Sequence, residues 1–308
     1  MGLRFPEGPV WLDDGTLLVT EIAAGTLSRV DPATGLVSML VSSLPGPNGA
    51  ARSPRNPGWV WVCDNGGYFT WFDSGSLLVP GPPAPLHQGG SLRHLSWDRS
   101  PGDLVVVERC DSEPLVAPND LVVDDFGGVW FTDFGVQHDT AAASRPGVAD
   151  LAPGATEAPG AVWGTHQANG IGLSNDGLEL YVAETHSGSL WAFDLRAAGR
   201  VADGGSADQG HTGRLVHRAE SRMFDSLAVD PDGWVCVATI GPGGGVTCVH
   251  PVSGEVRHVG APDDLTTNVC FTPETPGPVR AALTLSSVGA IAVINDWRAV
   301  RDAAPAVR

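Results

Sequence analysis

The sequence predicts an all-β protein, a single six-bladed β-propeller domain over residues 1–308 with a metal site at its centre. Short apolar runs rich in β-branched and aromatic residues, such as Gly15–Thr20 and Gly128–Thr132, are bounded by Gly, Asp or Pro throughout the chain. Helical spacing is confined to the end of the chain, around Asp296–Ala304. One strand–turn–strand pattern recurs along the whole sequence at intervals of about 50 residues, which is typical of four-stranded propeller blades.

Each repeat has a first strand that begins near a Gly, Asn or Asp and a second strand that ends in an acidic or amide residue. Asp-Gly turns between the two strands, as at Asp14–Gly15 and Asp176–Gly177, favour successive hairpins. The six first strands begin in the segments Glu7–Trp11, Pro47–Ala51, Pro118–Val122, Ala168–Gly172, Phe224–Ala228 and Thr267–Phe271. The widest gap lies between the second and third of these, which predicts an insertion or an extended outer hairpin there. The Ala-, Gly- and Pro-rich segment Ala141–Gly160 is predicted to be a surface loop.

The composition favours a folded, acidic protein. Hydrophobic residues make up 42% of the chain and charged residues 17%, which fits an ordinary globular core. The net charge of −17 would repel phosphate backbones, so no nucleic-acid partner is expected. No apolar run reaches the ~18 residues of a membrane-spanning helix, so no membrane partner is expected either. Every basic residue is Arg, and the absence of Lys excludes a Walker-type phosphate site, a Schiff base and a Lys general base.

The cysteine pattern gives no sign of a zinc site or a disulfide framework. The five cysteines are widely spaced, and no two of them form a Cys-x-x-Cys pair. Cys236 and Cys248 could face each other across a hairpin, but buried free thiols are the favoured interpretation. The segment Met1–Pro6 lacks a charged and then apolar leader, so a cytoplasmic, reduced protein is expected unless a leader has been trimmed.

The residues that open the repeats carry the strongest functional signal. The first strand of every propeller blade runs along the central channel, so its opening residues cluster at one end of the axis. These residues are Glu7, Asn48, Asn119, Asn169, Asp225 and Asn268. Each offers a carboxylate or amide oxygen, the type of ligand that Ca²⁺ accepts with loose geometry and that Mg²⁺ and Mn²⁺ also use. The ring therefore predicts a divalent cation, most favourably Ca²⁺, with Zn²⁺ the least favoured because no His or Cys lies in it.

A structural interpretation competes with the metal site at every single position. Asn and Asp before Gly are common turn residues, and each alone more often shapes the start of a strand. Six such residues in register are much harder to ascribe to coincidence. Asn48 and Asn268 are the doubtful ligands, since amides at the rim can instead contact substrate or hold other ligands in place.

Several motifs together resemble the SMP-30/gluconolactonase/LRE-like family over nearly the whole chain. The matching segments are Glu7–Trp11, Pro118–Asp124, Trp130–Asp133, Ala168–Ser174, Leu180–Thr185 and Ser226–Asp230. The resemblance implies a six-bladed propeller with a divalent cation, usually calcium, in the channel and an activity that hydrolyses lactones. It also implies that Glu7, Asn169 and Asp225 ligate the metal, and that Asn119 ligates metal or meets substrate.

A metal-activated water that attacks a polarised lactone carbonyl needs a general base. Asp225 is the first choice, although a carboxylate that ligates strongly is a poorer base. Glu21, Asp120 and Glu184 are the alternatives near strand ends. Each of these three is more often a structural hydrogen-bond acceptor.

Further residues are candidates for substrate binding. They are Asn48, Arg109, Asp120, Phe134, His166 and Asn268. Exposure for His166 and a salt bridge for Arg109 are the structural alternatives.

The expected partner is a small-molecule lactone or ester, and the sequence is silent on oligomeric state. After Thr132–Asp133 the family often continues Pro-Pro-Tyr-Gly, whereas this chain has Phe134–His138. That difference leaves the substrate open between a sugar lactone, another lactone, and an organophosphate or other ester. A ring-opening enzyme of secondary metabolism is a further alternative, and a non-catalytic binding propeller is the alternative of another class.

Overall fold

The computed structural model describes residues 2–97, 103–135, 147–197, 200–202, 211–273 and 277–307. Nearly all regular structure is strand. In the first half of the chain the strands are β1 (Pro6–Trp11), β2 (Leu17–Glu21), β3 (Thr26–Val30), β4 (Val37–Val41), β5 (Pro47–Arg52), β6 (Trp59–Asp64), β7 (Phe69–Asp73), β8 (Leu78–Pro83), β9 (Ser91–Ser96), β10 (Asp103–Val107), β11 (Arg109–Cys110), β12 (Glu113–Pro114), β13 (Pro118–Val123), β14 (Val129–Asp133) and β15 (Gly147–Leu151).

The second half continues the same pattern and ends in one short helix. Its elements are β16 (Gly160–Trp163), β17 (Ala168–Leu173), β18 (Glu179–Glu184), β19 (Ser189–Ala197), β20 (Arg200–Val201), β21 (Arg214–Arg218), β22 (Met223–Val229), β23 (Val235–Ile240), β24 (Gly245–Val249), β25 (Val256–Gly260), β26 (Thr266–Phe271), β27 (Ala281–Leu285), β28 (Ala290–Ile294) and α1 (Trp297–Ala303).

Six antiparallel sheets form the blades of a β-propeller, which confirms the predicted fold class. The blades are β1–β4, β5-β6-β9-β10, β13–β16, β17–β21, β22–β25 and β26–β28. Their innermost strands are β1, β5, β13, β17, β22 and β26, and each contacts the innermost strand on either side, the last meeting the first. These six strands are the ones whose starts the repeat predicts.

The blades are held together by apolar side chains on alternating faces of their strands. Successive residues of a strand point to opposite faces of the sheet. In the third blade Trp130 packs with Leu180 of the fourth blade, while the next residue, Phe131, packs with Leu92 of the second. Each blade therefore contributes to two interfaces, and these fix the positions of the innermost strands around the axis.

The widest gap between repeats contains the predicted insertion. The hairpin β7–β8 lies between the second and third strands of the second blade and pairs with neither. It reaches the sixth blade, where the Leu78 amide donates to the Ser287 carbonyl at 2.9 Å, and Asp73 accepts from Arg4 at 2.7 Å beside the first blade. The hairpin thus spans the junction where the two ends of the propeller meet.

One local prediction is wrong for part of its range, although residues 152–159 are turns and irregular structure as expected. The segment Ala141–Gly160 was expected to be a surface loop, but Gly147–Leu151 is β15, a buried strand that pairs with β14 and β16. Its sequence is Gly-Val-Ala-Asp-Leu, in which Val148 packs towards the fourth blade and Leu151 towards the second. Residues 141–146 lie outside the described part of the chain.

The C-terminal helix is where helical spacing predicts it. The Asp296 side chain accepts a hydrogen bond from the Ala299 amide at 3.1 Å and so caps α1. Trp297 is fully buried in the core shared by the fifth and sixth blades. No helix within the described residues has the length and apolar character to cross a membrane.

Candidate active site

Every innermost strand has an irregular register at the position of its ring residue. The ring residues Glu7, Asn48, Asn119, Asn169, Asp225 and Asn268 all lie within or at the edge of a register shift against the second strand of the blade. A β-bulge redirects a side chain that would otherwise follow the regular alternation of the strand. The repeated bulge therefore gives all six ring side chains an equivalent position at one end of the channel.

The innermost strands approach one another closely beside this ring. A Cβ atom on Gly49 would lie 2.6 Å from Asp120 Cα and 2.7 Å from the Asn119 carbonyl oxygen. A Cβ atom on Gly170 would lie 2.6 Å from both the Asp225 carbonyl oxygen and the Leu227 amide. The Asn-Gly pairs of the repeat thus combine a polar ring side chain with a glycine that allows close backbone packing.

We expect Gly49→Ala to destabilise the protein by about 1–3 kcal/mol, because the added methyl group must displace backbone atoms of the neighbouring blade. Urea unfolding measures the effect. Gly260→Ala is the matched control, since a Cβ atom there meets nothing within 4 Å. Equal stability of the two variants would contradict the close approach.

Three carboxylates, Glu7, Asp120 and Asp225, concentrate negative charge at the ring. Burial, and next the charge of Glu7, raise the pKa of Asp120 to about 7. The same two causes raise the pKa of Asp225 well above its ordinary value, against a hydrogen bond from Asn169. Burial also raises the pKa of Glu7, against hydrogen bonds from Thr267 and Asn268. Within the described residues, no cationic side chain is among the main influences on these three pKa values.

Two amide oxygens at the ring have no hydrogen-bond partner. The Oδ1 atoms of Asn119 and Asn169 are buried and unpaired in the described structure. The Asn169 amide group is fixed from the other side, because its Nδ2 donates to Thr185 Oγ1 at 3.1 Å. A buried acceptor without a donor is destabilising unless a ligand satisfies it.

These residues fit a hard cation that takes oxygen ligands. The described part of the chain contains no group of three or more His, Cys, Asp or Glu side chains arranged to hold a metal by themselves. Any such site therefore depends on the amide oxygens of Asn119 and Asn169 in addition to carboxylates, which is a ligand mixture that Ca²⁺ uses in proteins.

Asn268 and Asn48 differ in what they do at the ring. Asn268 Nδ2 donates to Glu7 Oε2 at 2.8 Å, and its Oδ1 accepts from the Val269 amide at 2.8 Å. Asn268 therefore orients Glu7. Asn48 is also buried, and its carbonyl oxygen accepts from Thr20 Oγ1 at 2.6 Å, which ties the first blade to the second.

Beyond the ring, a cavity of about 530 Å³ follows the channel along the innermost strands. Asp120 and Asn268 line it together with apolar residues that come after the ring, such as Leu121, Ile171 and Leu227. Asp120, which follows the ring residue Asn119, thus faces this cavity.

A family model described as SMP-30/Gluconolactonase/LRE-like region matches residues 5–287. The chain belongs to this family. Among curated proteins, a gluconolactonase of Zymomonas mobilis is 27% identical over 217 residues, which are 64% of this chain and 54% of that protein. The lactonase drp35 of Staphylococcus haemolyticus is 25% identical over 242 residues, 77% of this chain and 64% of that protein. The chain thus spans between about half and two thirds of the length of these relatives.

Solved structures support the fold of this SMP-30/gluconolactonase family member. A gluconolactonase of Xanthomonas campestris superposes with a TM-score of 0.69 at 21% identity, covering 94% of this chain and 85% of that one. A calcium-binding regucalcin of Agrobacterium tumefaciens gives a TM-score of 0.66 at 17% identity, covering 92% and 83%. At these identities the likeness concerns the propeller fold alone.

Two of the three alternative bases have structural roles in this family member. Glu21 accepts from the Arg4 amide at 2.8 Å and from Ser28 Oγ at 2.6 Å. Glu184 accepts from the His166 amide at 2.7 Å and from Ser187 Oγ at 2.5 Å. Burial opposes ionisation of Glu184, but hydrogen bonds from His211, Ser187 and the His166 amide outweigh it and lower its pKa to about 2. Of the three alternatives, only Asp120 lies at the ring.

The remaining predicted substrate residues lie in different surroundings. Arg109 is exposed on the small β11–β12 ribbon and donates to the Ser112 carbonyl at 2.6 Å. Phe134 is buried, with its ring 6.5 Å from that of Tyr68. The His166 side chain is exposed, and the contact of this residue with Glu184 is made by its backbone amide. Their roles in substrate binding stay predictions.

Sequence reasoning missed Thr185, which contacts the Asn169 side chain, and Thr165 and Gln167, which lie just before Asn169 in the chain. Thr185 Oγ1 accepts from Asn169, and the Thr185 amide donates to the Gln167 carbonyl at 3.2 Å. Thr and Gln are common in loops, so residue type alone gives no signal. Their importance depends on which partners the fold gives or withholds.

Proposed function

We propose that this chain is a divalent-cation-dependent hydrolase that opens a lactone by addition of water. The unpaired, buried amide oxygens of Asn119 and Asn169 beside three carboxylates carry the proposal, because this arrangement calls for a cation. Family membership and the names of the two curated relatives, a gluconolactonase and a lactonase, support the choice of reaction.

Glu7, Asn169 and Asp225 would hold the cation, with Asn119 as a fourth ligand. Asn268 keeps Glu7 in place through its 2.8 Å hydrogen bond. When bound, a divalent cation supplies Lewis-acid polarisation of the lactone carbonyl and a lowered pKa for water. Ca²⁺ is the first choice because all the donors are oxygens and one structural neighbour is a calcium-binding protein. Mg²⁺, Mn²⁺ and Zn²⁺ are the competing ions.

The residues of the chain also provide for proton transfer. In the net reaction the oxygen of water bonds to the carbonyl carbon, the ring C–O bond breaks, and one water proton ends on the released hydroxyl oxygen. A carboxylate at the ring can accept this proton and pass it on. Asp225 is one candidate for this role. Asp120 is the second, favoured by its place on the channel cavity and by the poorer basicity of a carboxylate engaged with a cation.

Chelation is the direct test of the proposed function. We expect protein purified without chelator to hold about one divalent ion and to open at least one member of a panel of five- and six-membered lactones. Exhaustive dialysis against EDTA should lower the rate by about 100-fold or more, since the Lewis acid contributes several kcal/mol. Added Ca²⁺ should restore the rate, and Mg²⁺, Mn²⁺ and Zn²⁺ are tested in parallel.

The panel includes a phosphotriester and a simple aryl ester, so that it separates the competing functions. Hydrolysis of the phosphotriester alone would replace lactones by organophosphates as the substrate class. A bound ion without hydrolysis of any compound would favour a non-catalytic binding propeller. Full activity in the chelated protein would overturn the cation-dependent mechanism.

A further inference from the structure

The segment Thr165–Gln167 leads into β17 directly before the ring residue Asn169. It is held to the end of β18 at two points. The His166 amide donates to Glu184 Oε1 at 2.7 Å, and the Gln167 carbonyl accepts from the Thr185 amide at 3.2 Å. Thr185 Oγ1 also accepts from Asn169 Nδ2, so the segment and the ring share one hydrogen-bond network.

Although its backbone is held firmly, this segment leaves two side-chain polar groups unpaired. Thr165 is 4% exposed, and its Oγ1 has no hydrogen-bond partner in the described structure. Gln167 Nε2 is buried and equally without a partner there. Buried polar groups in native proteins are nearly always satisfied, so two unpaired groups in three residues need an explanation.

The backbone of Gln167 is unusual as well. Its φ angle is +61°, a left-handed conformation that few residues other than glycine adopt. Strained backbone persists where the surrounding structure enforces it, and such positions cluster at ligand sites. Here the two backbone anchors of the segment enforce it. His166, between the two unpaired residues, is exposed, whereas Thr165 is buried and Gln167 is half-buried.

We propose that Thr165 and Gln167 form a polar subsite beside the ring, which binds an oxygen substituent of the lactone substrate. The inference rests on the proposed function. The Gln167 amide can only donate through Nε2, and the Thr165 hydroxyl can donate or accept, so the matching group is a hydroxyl or carbonyl oxygen. The enzyme should therefore select lactones that carry such a group over unsubstituted ones.

This subsite should discriminate strongly between lactones with an oxygen substituent and lactones without one. A site built to hydrogen-bond a substrate oxygen disfavours the analogue without it, because the buried polar groups of the protein are then left unpaired. An apolar subsite would not favour the lactone that carries the oxygen substituent. The two residues are positioning groups for the substrate and take no part in proton transfer.

The test compares two six-membered lactones, glucono-δ-lactone with hydroxyl groups and δ-valerolactone without them, at saturating Ca²⁺. We expect the wild type to prefer the hydroxylated lactone in kcat/KM. Thr165→Val and Gln167→Met should each reduce that preference by about tenfold to hundredfold, mainly through KM for the hydroxylated lactone. Thr165→Ser, which keeps the hydroxyl, should retain most of the preference.

Thr34→Val is the matched control, an exposed threonine on the turn between β3 and β4. If the wild type opens both lactones with equal kcat/KM, the proposed subsite is wrong, but the proposed function is still supported. Wild type that opens no lactone on the panel would overturn the proposed function, and the subsite with it. Equal losses on both substrates together with a lower melting temperature would show a structural role for the pair and overturn the inference.

Discussion

Asp225→Asn should release the cation and lower lactone hydrolysis by about 1,000-fold or more, while the cation-free protein becomes more stable. The loss of activity follows because one carboxylate ligand is replaced by a neutral amide, and the Lewis acid is worth several kcal/mol at about 1.36 kcal/mol per tenfold in rate. Two opposite effects from one substitution distinguish a charged ligand from a residue that merely supports the fold.

The gain in stability follows from the charge that Asp225 adds to a crowded site. Its pKa is raised by burial and then by the charge of Glu7, so ionised Asp225 is disfavoured in the folded protein. A raised carboxyl pKa destabilises the fold above the ordinary value of 3.8, and the penalty grows until the pH reaches the raised pKa. Near pH 8 the chelated variant should therefore exceed chelated wild type in unfolding free energy.

Elemental analysis, lactone hydrolysis and urea unfolding with EDTA or with Ca²⁺ measure these three effects. Added Ca²⁺ should stabilise the wild type, by about 4 kcal/mol at a thousand times its Kd, and should leave the variant unchanged. Asp13→Asn is the matched control, because that carboxylate is exposed and pairs with Arg52. A variant that keeps both its ion and its activity would remove Asp225 from the ligand set.

The propeller could be predicted because each repeat contains residues that locally favour its strands and turns. Each blade uses the same sequence of a ring residue, a strand, a turn and a second strand, and the turn residues are those that a left-handed conformation requires. Gly15 and Gly177, for instance, have φ angles of +80° and +69°. The ring positions could be located without coordinates because six blades place their first residues at the same end of the axis.

The features that escaped prediction depend on contacts between distant segments. The path of β7–β8 is set by its packing on Phe5 and Ile22, which no local pattern near Phe69 encodes. The strand β15 escaped because the Ala-, Gly- and Pro-rich residues on either side of it resemble a loop. In the fold, Val148 packs towards the fourth blade and Leu151 towards the second.

The same reasoning separates the candidate bases. At sequence level Glu21, Asp120 and Glu184 are equivalent, since each is an acidic residue near a strand end. All three accept hydrogen bonds from backbone amides, and the structure distinguishes them by position: Asp120 lies beside Glu7 and lines the channel cavity. The distinction could not be predicted, because it depends on which carboxylate the fold places beside Glu7.

Asp120→Asn should therefore reduce kcat by about 100-fold to 10,000-fold while the protein keeps its cation. The amide has nearly the same shape and retains an oxygen that can accept from the Leu121 amide, as Asp120 Oδ1 does at 2.9 Å. The fold and the ligands Glu7, Asn169 and Asp225 should thus be preserved, while the proton acceptor is lost.

Elemental analysis and kcat at saturating lactone and Ca²⁺, measured beside Asp225→Asn, separate the two roles. Loss of the ion in both variants would make Asp120 a ligand. Retention of both the ion and kcat in Asp120→Asn would return proton transfer to Asp225. Retention of the ion with loss of kcat is the expected result, because a base that does not ligate the cation keeps its full affinity for the proton of water.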